Sequence, residues 1–572
     1  MKSVMRYKIK NTTVSAVFGE DGCFFVAKKK KVVEIPHIQC YNEFNLIYFY
    51  YKYIKVIFLS DIYSYHTFIL PFVWKDSCND ARTFEKFTQL FADNPYWKCY
   101  DPEDENSFSH IEDEQSYYAE YQYFYPQVRS ALYGFGENVV RSFHFAHNKV
   151  QNQAHYYISK NGRTYDLLLN SIQLKIYNTG IALFVMEGEN HGTDKDGKPQ
   201  NTFGDVKNIN DFGRRVTLPF IPDIPGYSIC ADSLEIVIPG LGNFRTDFAG
   251  YIKKTAETKN KKDHINLNHL SNFIKEILSF SSDNQFSSKI NNEKNTFYIH
   301  PALDDRMFVA SLVIDKEETN KMIEVSKETG EYAYETDDAL SKSLYEFIFV
   351  DKDEGCSCNC KKMRQELLEK HVYRRWIEAG SLYGVAAQSI VLLFDGGFEP
   401  LINTFITTYV RIACLCLAQR ASLMNFQKEA ADISRLIHEK ESKIRIATVT
   451  KLMDLQERFS AFESQICFAE ITPQEQGIEI YSMFFEFFFI DKELENVKSQ
   501  IDGLHDATDT YLDFGFNKIA LIFTLVGGIL GIMQIVNTDV RLLEQTLWIY
   551  GSVASIVIAF IVIFVYRRKR KK

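Results

Sequence analysis

The sequence predicts an α+β protein. A large strand-rich α/β domain leads, a long antiparallel helical hairpin and stalk follow, and two transmembrane helices close the chain. Three observations carry this. Residues 1–355 are rich in β-branched and aromatic runs broken by turn residues. From Pro400 to Ala469 the chain keeps helical character without an internal proline or glycine. The end holds two long uncharged segments, Ile519 to Thr538 and the stretch between Glu544 and Arg567.

In the front domain, residues 45–75 look membrane-like, but Lys52, Lys55 and Asp61 cut the run too short for a span. It reads as two or three buried strands. Residues 164–190 read as a hairpin turning at Asn178–Gly180. The long polar stretch that follows, "HGTDKDGKPQNTFGDVKNINDFGRR", has the length of a functional loop. Its "DKDG" lacks the terminal glutamate of a calcium loop and reads as a plain turn.

The middle, 356–475, is predicted helical and contains the long helix 400–469. "EITPQEQG" turns the chain at Pro473 and Gly477. A stalk at 476–518 then carries a heptad seam: Ile480, Met483, Phe487, Ile490, Leu494, Val497, Ile501, Leu504 and Tyr511, interrupted only at Thr508. No breaker separates it from Ile519, so one helix from Gln476 to Val536, roughly 90 Å long, is expected.

The two apolar segments, 519–538 and 546–566, each reach about 30 Å, the thickness of a bilayer core. The basic tail 567–572, "RRKRKK", keeps the C-terminus cytoplasmic. Two spans then return the N-terminal side to the same compartment. Along the first span, Asp513, Asn517, Thr524, Gly528, Gly531 and Gln534 fall near one stripe. Such a stripe either packs on another helix or lines water. The carboxylate and amide at its mouth favour a pore, which two helices cannot enclose without a homo-oligomer.

This architecture resembles the CorA family of metal-ion transporters, which are pentameric funnels with the first span lining the pore. The likeness covers roughly 400–572. The family's Gly-Met-Asn signature is absent; "GGILGIMQIVNTDV" stands in its place. Two stretches, "INDFGRRVTLPFIP" and "YRRWIEAGSLYGVAAQSIVLL", are similar to a divergent CorA-like group that accompanies type III CRISPR defence. That resemblance implies a homopentamer in the bacterial inner membrane. It also implies a cytosolic nucleotide messenger, such as a conjugate of S-adenosylmethionine and AMP, as the gating ligand.

Candidate ligand contacts are Phe212 with Arg214 and Arg215, and Arg374 and Arg375 with Trp376. Arginine forks suit phosphates and an aromatic neighbour suits a base. Each arginine pair could equally serve salt bridges, within the chain or to a neighbouring subunit. "GCSCNCKK", with Cys356, Cys358 and Cys360 and with His371 nearby, could help hold a soft metal, although an exposed linker with incidental thiols is the plainer reading. No metal ligand set is assigned.

The formal net charge of −9 argues against a direct nucleic-acid partner. No phosphate loop, zincin motif or nucleophile elbow is present, so no enzyme is expected. Three readings stand: a nucleotide-gated membrane channel, a divalent-cation transporter without such gating, and a membrane-anchored scaffold.

Overall fold

The computed structural model describes residues 4–9, 12–19, 22–27, 32–34, 62–76, 84–100, 118–134, 139–217, 229–250, 270–287, 295–327, 330–438 and 446–536. They fall into two units, Met1–Ile62 and Tyr63–Lys572. In the first, β1 (Val4–Ile9), β2 (Thr12–Gly19), β3 (Gly22–Ala27) and β4 (Val32–Glu34) form an antiparallel meander.

The second unit is built on a mixed sheet of fourteen strands. They are β5 (Ser64–Asp76), β6 (Trp97–Cys99), β7 (Val140–Phe145), β8 (Ala154–Lys160), β9 (Arg163–Tyr177), β10 (Ile181–Asn190) and β11 (Ser233–Ile238). Next come β12 (Gly242–Asp247), β13 (Gln285–Ser287), β14 (Thr296–Pro301), β15 (Phe308–Ile314), β16 (Val372–Tyr373), β17 (Ser381–Ala386) and β18 (Ser389–Phe394). The main order is β12-β11-β8-β9-β10-β5-β15-β18-β17-β16. The 164–190 hairpin is β9 and β10, turned at Gly180 with φ of 84°. The pairing of β15 with β18 is parallel. A parallel neighbour needs a long crossover. Here α2 (Asp338–Phe349) and α3 (Lys361–His371) lie in that crossover.

Strand β5 is buried on both faces. Phe68, Leu70, Phe72 and Trp74 enter one apolar core. On the other face Val73 and Ile181 meet Ala421. Helix α1 (Phe203–Gly213) covers the first face, where a side chain on Gly213 would fall 2.8 Å from Ile158 and 2.9 Å from Phe68. Glycine there is a matter of space. The polar stretch expected as a loop thus ends in this helix, and Thr202 with Asp205 forms a capping box that starts it. The "DKDG" segment is a turn, with Asp194 Oδ1 accepting from the backbone of Asp196 and Lys198.

The helical region follows as α4 (Val410–His438), α5 (Ile446–Gln465), α6 (Glu475–Phe488) and α7 (Ile490–Val536). The expected single stalk is two helices. Phe489 adopts left-handed dihedrals, φ 54° and ψ 34°, and ends α6. Helix α6 packs its rings on the sheet side, where Phe484 and Phe488 meet Phe308 and Phe487 stacks on His371. Helix α7 packs on α4 and α5, and α6 shares α4 with it, where Gln419 donates to the Tyr481 hydroxyl and Arg420 lies over the Phe488 ring. Ile490, Val497, Ile501 and Leu504 are buried, so the heptad seam is filled within one chain.

The expectation of two C-terminal transmembrane helices is corrected. Among the described residues one helix is long and apolar enough to cross a membrane, Pro400–Ile437, and its apolar window is 78% buried in protein. It is a core helix, laid on β5 and β10. Within the expected first span, the apolar helix that is described runs only from Ala520 to Leu530. The expected second span, 546–566, and the basic tail lie outside the described residues.

Thr202→Ala removes the capping-box acceptor for the Asp205 amide. It should lower unfolding free energy by about 1 kcal/mol in urea denaturation.

Candidate functional site

The connection between β16 and β17 carries Arg374, Arg375 and Trp376 into a surface cleft of about 380 Å³. Tyr332, Ile377, Glu378 and Ala379 complete its lining. The turn closes on Gly380, whose φ of 76° is a left-handed helical terminus. Trp376 leaves 48% of its surface exposed, unusual for so large a ring. Its indole N–H donates to Gln476 Oε1 at 3.1 Å. Arg375 pairs with Glu475 and, at 3.4 Å, with Glu479. The Tyr373 hydroxyl also donates to Glu479. Arg374 donates to Glu335 Oε1 at 2.7 Å. The cleft therefore sits at the joint between the sheet and the first turns of α6. A planar ligand could stack on Trp376, and its anionic group could displace Glu475 from Arg375.

The second constellation is differently employed. Arg214 is 1% exposed and donates to Gln388 Oε1 at 2.7 Å and to the Val350 carbonyl at 2.8 Å. It pins α1 to the end of α2 and to the β17–β18 turn, and burial lowers its pKa to about 10. Arg215 forks onto Asp211 Oδ1 at 2.7 and 3.1 Å. Phe212 lies in the same apolar core as Phe68, beneath the Lys160 ammonium, 5.4 Å from the ring centroid. Of the six expected ligand contacts, Arg374, Arg375 and Trp376 share a cleft, while Phe212, Arg214 and Arg215 occupy buried or ion-paired positions.

The expected pore residues Asp513, Asn517, Thr524, Gly528, Gly531 and Gln534 all fall on α7. Of these, Thr524 and Gly528 line a groove together with Leu521, Leu525 and Ile529. The Thr524 hydroxyl donates back to the Ala520 carbonyl at 2.8 Å.

Among the described residues no three His, Cys, Asp or Glu side chains gather as a metal ligand set. Cys356 and Cys358 direct their thiols to the carbonyls of Cys358 and Cys360. His371 is instead stacked on Phe487 with centroids 4.1 Å apart.

Two polar groupings escape sequence reading because their members are far apart in the chain. Ser64 Oγ lies 2.9 Å from His66 Nε2, and His66 Nδ1 lies 2.7 Å from Asn210 Oδ1. The order resembles a hydrolase triad, yet all three residues are at most 1% exposed. Asn190 donates to Ser64 Oγ, leaving the serine proton for His66. That arrangement holds a neutral imidazole, and burial lowers the His66 pKa to about 4. The other grouping joins Arg411 to Glu120 at 2.8 Å and to Glu187 at 3.1 Å beneath α4. Nearby Lys175 is pushed down to about 8 by burial and by Arg411.

Two predictions follow from these placements. The His66 pKa falls from an ordinary 6.5 to about 4, so folding stability is intact above pH 6.5 and is lost as pH falls toward 4. The loss attributable to His66 is on the order of 3 kcal/mol, read as the part of the acid limb absent in His66→Gln. Separately, Arg214→Ala strands buried acceptors and should cost about 3–5 kcal/mol. Arg375→Ala, at an exposed pair, should stay within about 1 kcal/mol of the parent in the same denaturation series.

No protein-family model, no curated protein and no solved structure matches the chain.

Proposed function

We propose that the protein is a ligand-gated membrane effector. A nucleotide binds the Arg374–Trp376 cleft on the cytosolic side, and several copies of α7 together form an ion-conducting bundle. The observation that carries this reading is the end of α7. Leu521, Ile522, Phe523, Leu525, Val526 and Ile529 are each between 43% and 63% exposed. At about 100° per residue these side chains cover roughly 200° of the helix surface, and Ala520, Thr524, Gly527 and Gly528 occupy the rest. An uncovered apolar surface that wide, with a stripe of small residues opposite it, suits a helix whose large side chains meet lipid while its small-residue stripe packs on neighbouring copies.

The resemblance to CorA-like effectors of antiviral defence supports the same conclusion: a homo-oligomer, five-fold by analogy, in a bacterial inner membrane. In such a bundle Thr524 and Gly528 face the axis, and Asp513 and Asn517 ring its cytoplasmic mouth. Conduction would dissipate ion gradients and halt growth of an infected cell. The cleft supplies the gate because Arg375 and Trp376 hold the start of α6, two helices before the apolar end. Occupancy must favour the open state by differential affinity, since a ligand that binds both states equally shifts nothing.

The test is ion flux from liposomes containing the full chain, with adenosine mono-, di- and triphosphates and adenosine conjugates titrated onto the cytosolic face. Flux that requires a nucleotide, and that Arg375→Ala or Trp376→Ala weakens at least tenfold, is the expected result. Mg²⁺ flux without any nucleotide points to an ungated transporter instead. Protein that fails to float with the liposomes overturns the membrane assignment altogether.

A further inference from the structure

The heptad seam crosses the break at Phe489 without losing phase. Ile480, Met483, Phe487, Ile490, Leu494, Val497, Ile501 and Leu504 keep alternating spacings of three and four, and the step from Phe487 to Ile490 spans the joint. Nothing in "FEFFFIDKELE" disfavours a helix. The residue that breaks it is a phenylalanine, for which left-handed dihedrals are costly; glycine or asparagine is the usual helix terminator. Phe489 is 60% exposed, so no packing of its own ring compels that conformation.

Helix α6 is held along its length: Gly477, Ile480 and Tyr481 are buried, and the Tyr481 hydroxyl accepts from Gln419 and donates to the Phe468 carbonyl. At its start, Glu475 and Glu479 pair with Arg375, Tyr373 donates to Glu479, and Trp376 donates to Gln476. At its finish, Phe308 contacts Phe484 and Phe488, His371 stacks on Phe487, and Arg420 sits 5.0 Å over the Phe488 ring.

From these observations we infer that Phe489 is a two-state joint. The left-handed state keeps α6 latched against the cleft, and helical dihedrals at Phe489 swing α6 toward line with α7, in one helix from Glu475 to Val536. This rests on the proposed nucleotide reading for its trigger: an anionic ligand on Arg375 competes directly with Glu475 and Glu479. The ring clamp makes the latched arrangement the ground state when the cleft is empty. The strained joint supplies a bias in the opposite direction.

The experiment places nitroxides at Ser482 and Asn496, both exposed, by unnatural-amino-acid labelling that leaves the eleven cysteines untouched. Distances are read by pulsed electron resonance on the full chain in liposomes. Fourteen residues of continuous helix span about 21 Å, and any bend at Phe489 gives a shorter distance between the backbones. The ligand-free parent should show the short population. Glu475→Gln combined with Glu479→Gln should shift it toward the long one without any nucleotide. Phe489→Ala should act in the same direction, and Phe489→Gly, which relieves the left-handed strain, should hold the short population even in the latch variant. An unchanged distance in both the latch variant and Phe489→Ala, with circular dichroism matching the parent, overturns the joint. So does nucleotide-dependent flux without a change in distance, and that result leaves the nucleotide reading standing. Lengthening in the latch variant, with no response to nucleotides, supports the joint and counts against the nucleotide reading.

Discussion

Strand β5 has no face turned to water, and the rest of the second unit is arranged around that constraint. From Ser64 to Trp74 each described side chain is buried. It pairs with β10, β14 and β15, so its backbone groups are met from both edges. Its alternate residues need apolar cover on opposite sides. One side is filled by α1, which approaches closely enough that Gly213 admits no side chain beside Phe68. The other is filled by α4, whose Ala421 meets Val73 and whose Ser422 and Asn425 bond to Thr179 in the β9–β10 turn. A helix recruited to cover a strand in this way must itself be apolar over a long stretch. That explains why Pro400–Ile437 has the hydropathy of a membrane span while serving as a core helix.

Because the helices and sheet are locked together, several buried cations between them are paired within the protein. Arg411 lies between Glu120 and Glu187, and Lys207 bonds to Glu346, Asp353 and Ser343. Arg364 is fully buried and bonds to Ser341, Asp338 and the Cys358 carbonyl. Arg214 belongs to this set. Buried cations of this kind hold neighbouring elements in register, since removing one partner leaves an uncompensated group. An arginine's place in a motif therefore says little about whether its fork is free. Burial separates Arg214 from Arg375, and burial follows from tertiary packing.

The same distinction governs what was legible beforehand. The β9–β10 hairpin was readable because Asn178–Gly180 is a local turn signal, and the "DKDG" turn because Asp194 bonds its own following backbone. Two long helices near the C-terminus were readable from periodicity. Helix α1 was missed, although Thr202 three residues before Asp205 is a capping box in plain view; the glycines and asparagines around it suggested a loop. The fourteen-stranded sheet was out of reach because β5 pairs with strands more than a hundred residues away. The break at Phe489 was also unreadable, since no glycine, asparagine or proline marks it in the local sequence. Of the candidate site, the Arg374–Trp376 cluster was visible because its three members are adjacent. Its partners Glu335, Glu475 and Glu479 were not.

That last pairing gives the molecule its logic. The cleft residues and the start of α6 are a hundred positions apart, yet Arg375 and Trp376 meet Glu475 and Gln476 at the surface, where ion pairs are weak individually and accessible to competitors. The contacts at the far end of α6 are buried rings, which resist displacement. Beneath the surface pairs the inner face of α6 is buried from Gly477, which packs against Tyr123 and Thr472, to Phe488, and its far end adjoins the one joint leading to α7. Beyond that joint α7 has no further break among its described residues before its apolar end. Under the proposed gating, a change at the cleft would reach the exposed Leu521–Ile529 surface through α6 and α7. The strongly buried sheet provides the fixed frame against which such a movement is measured.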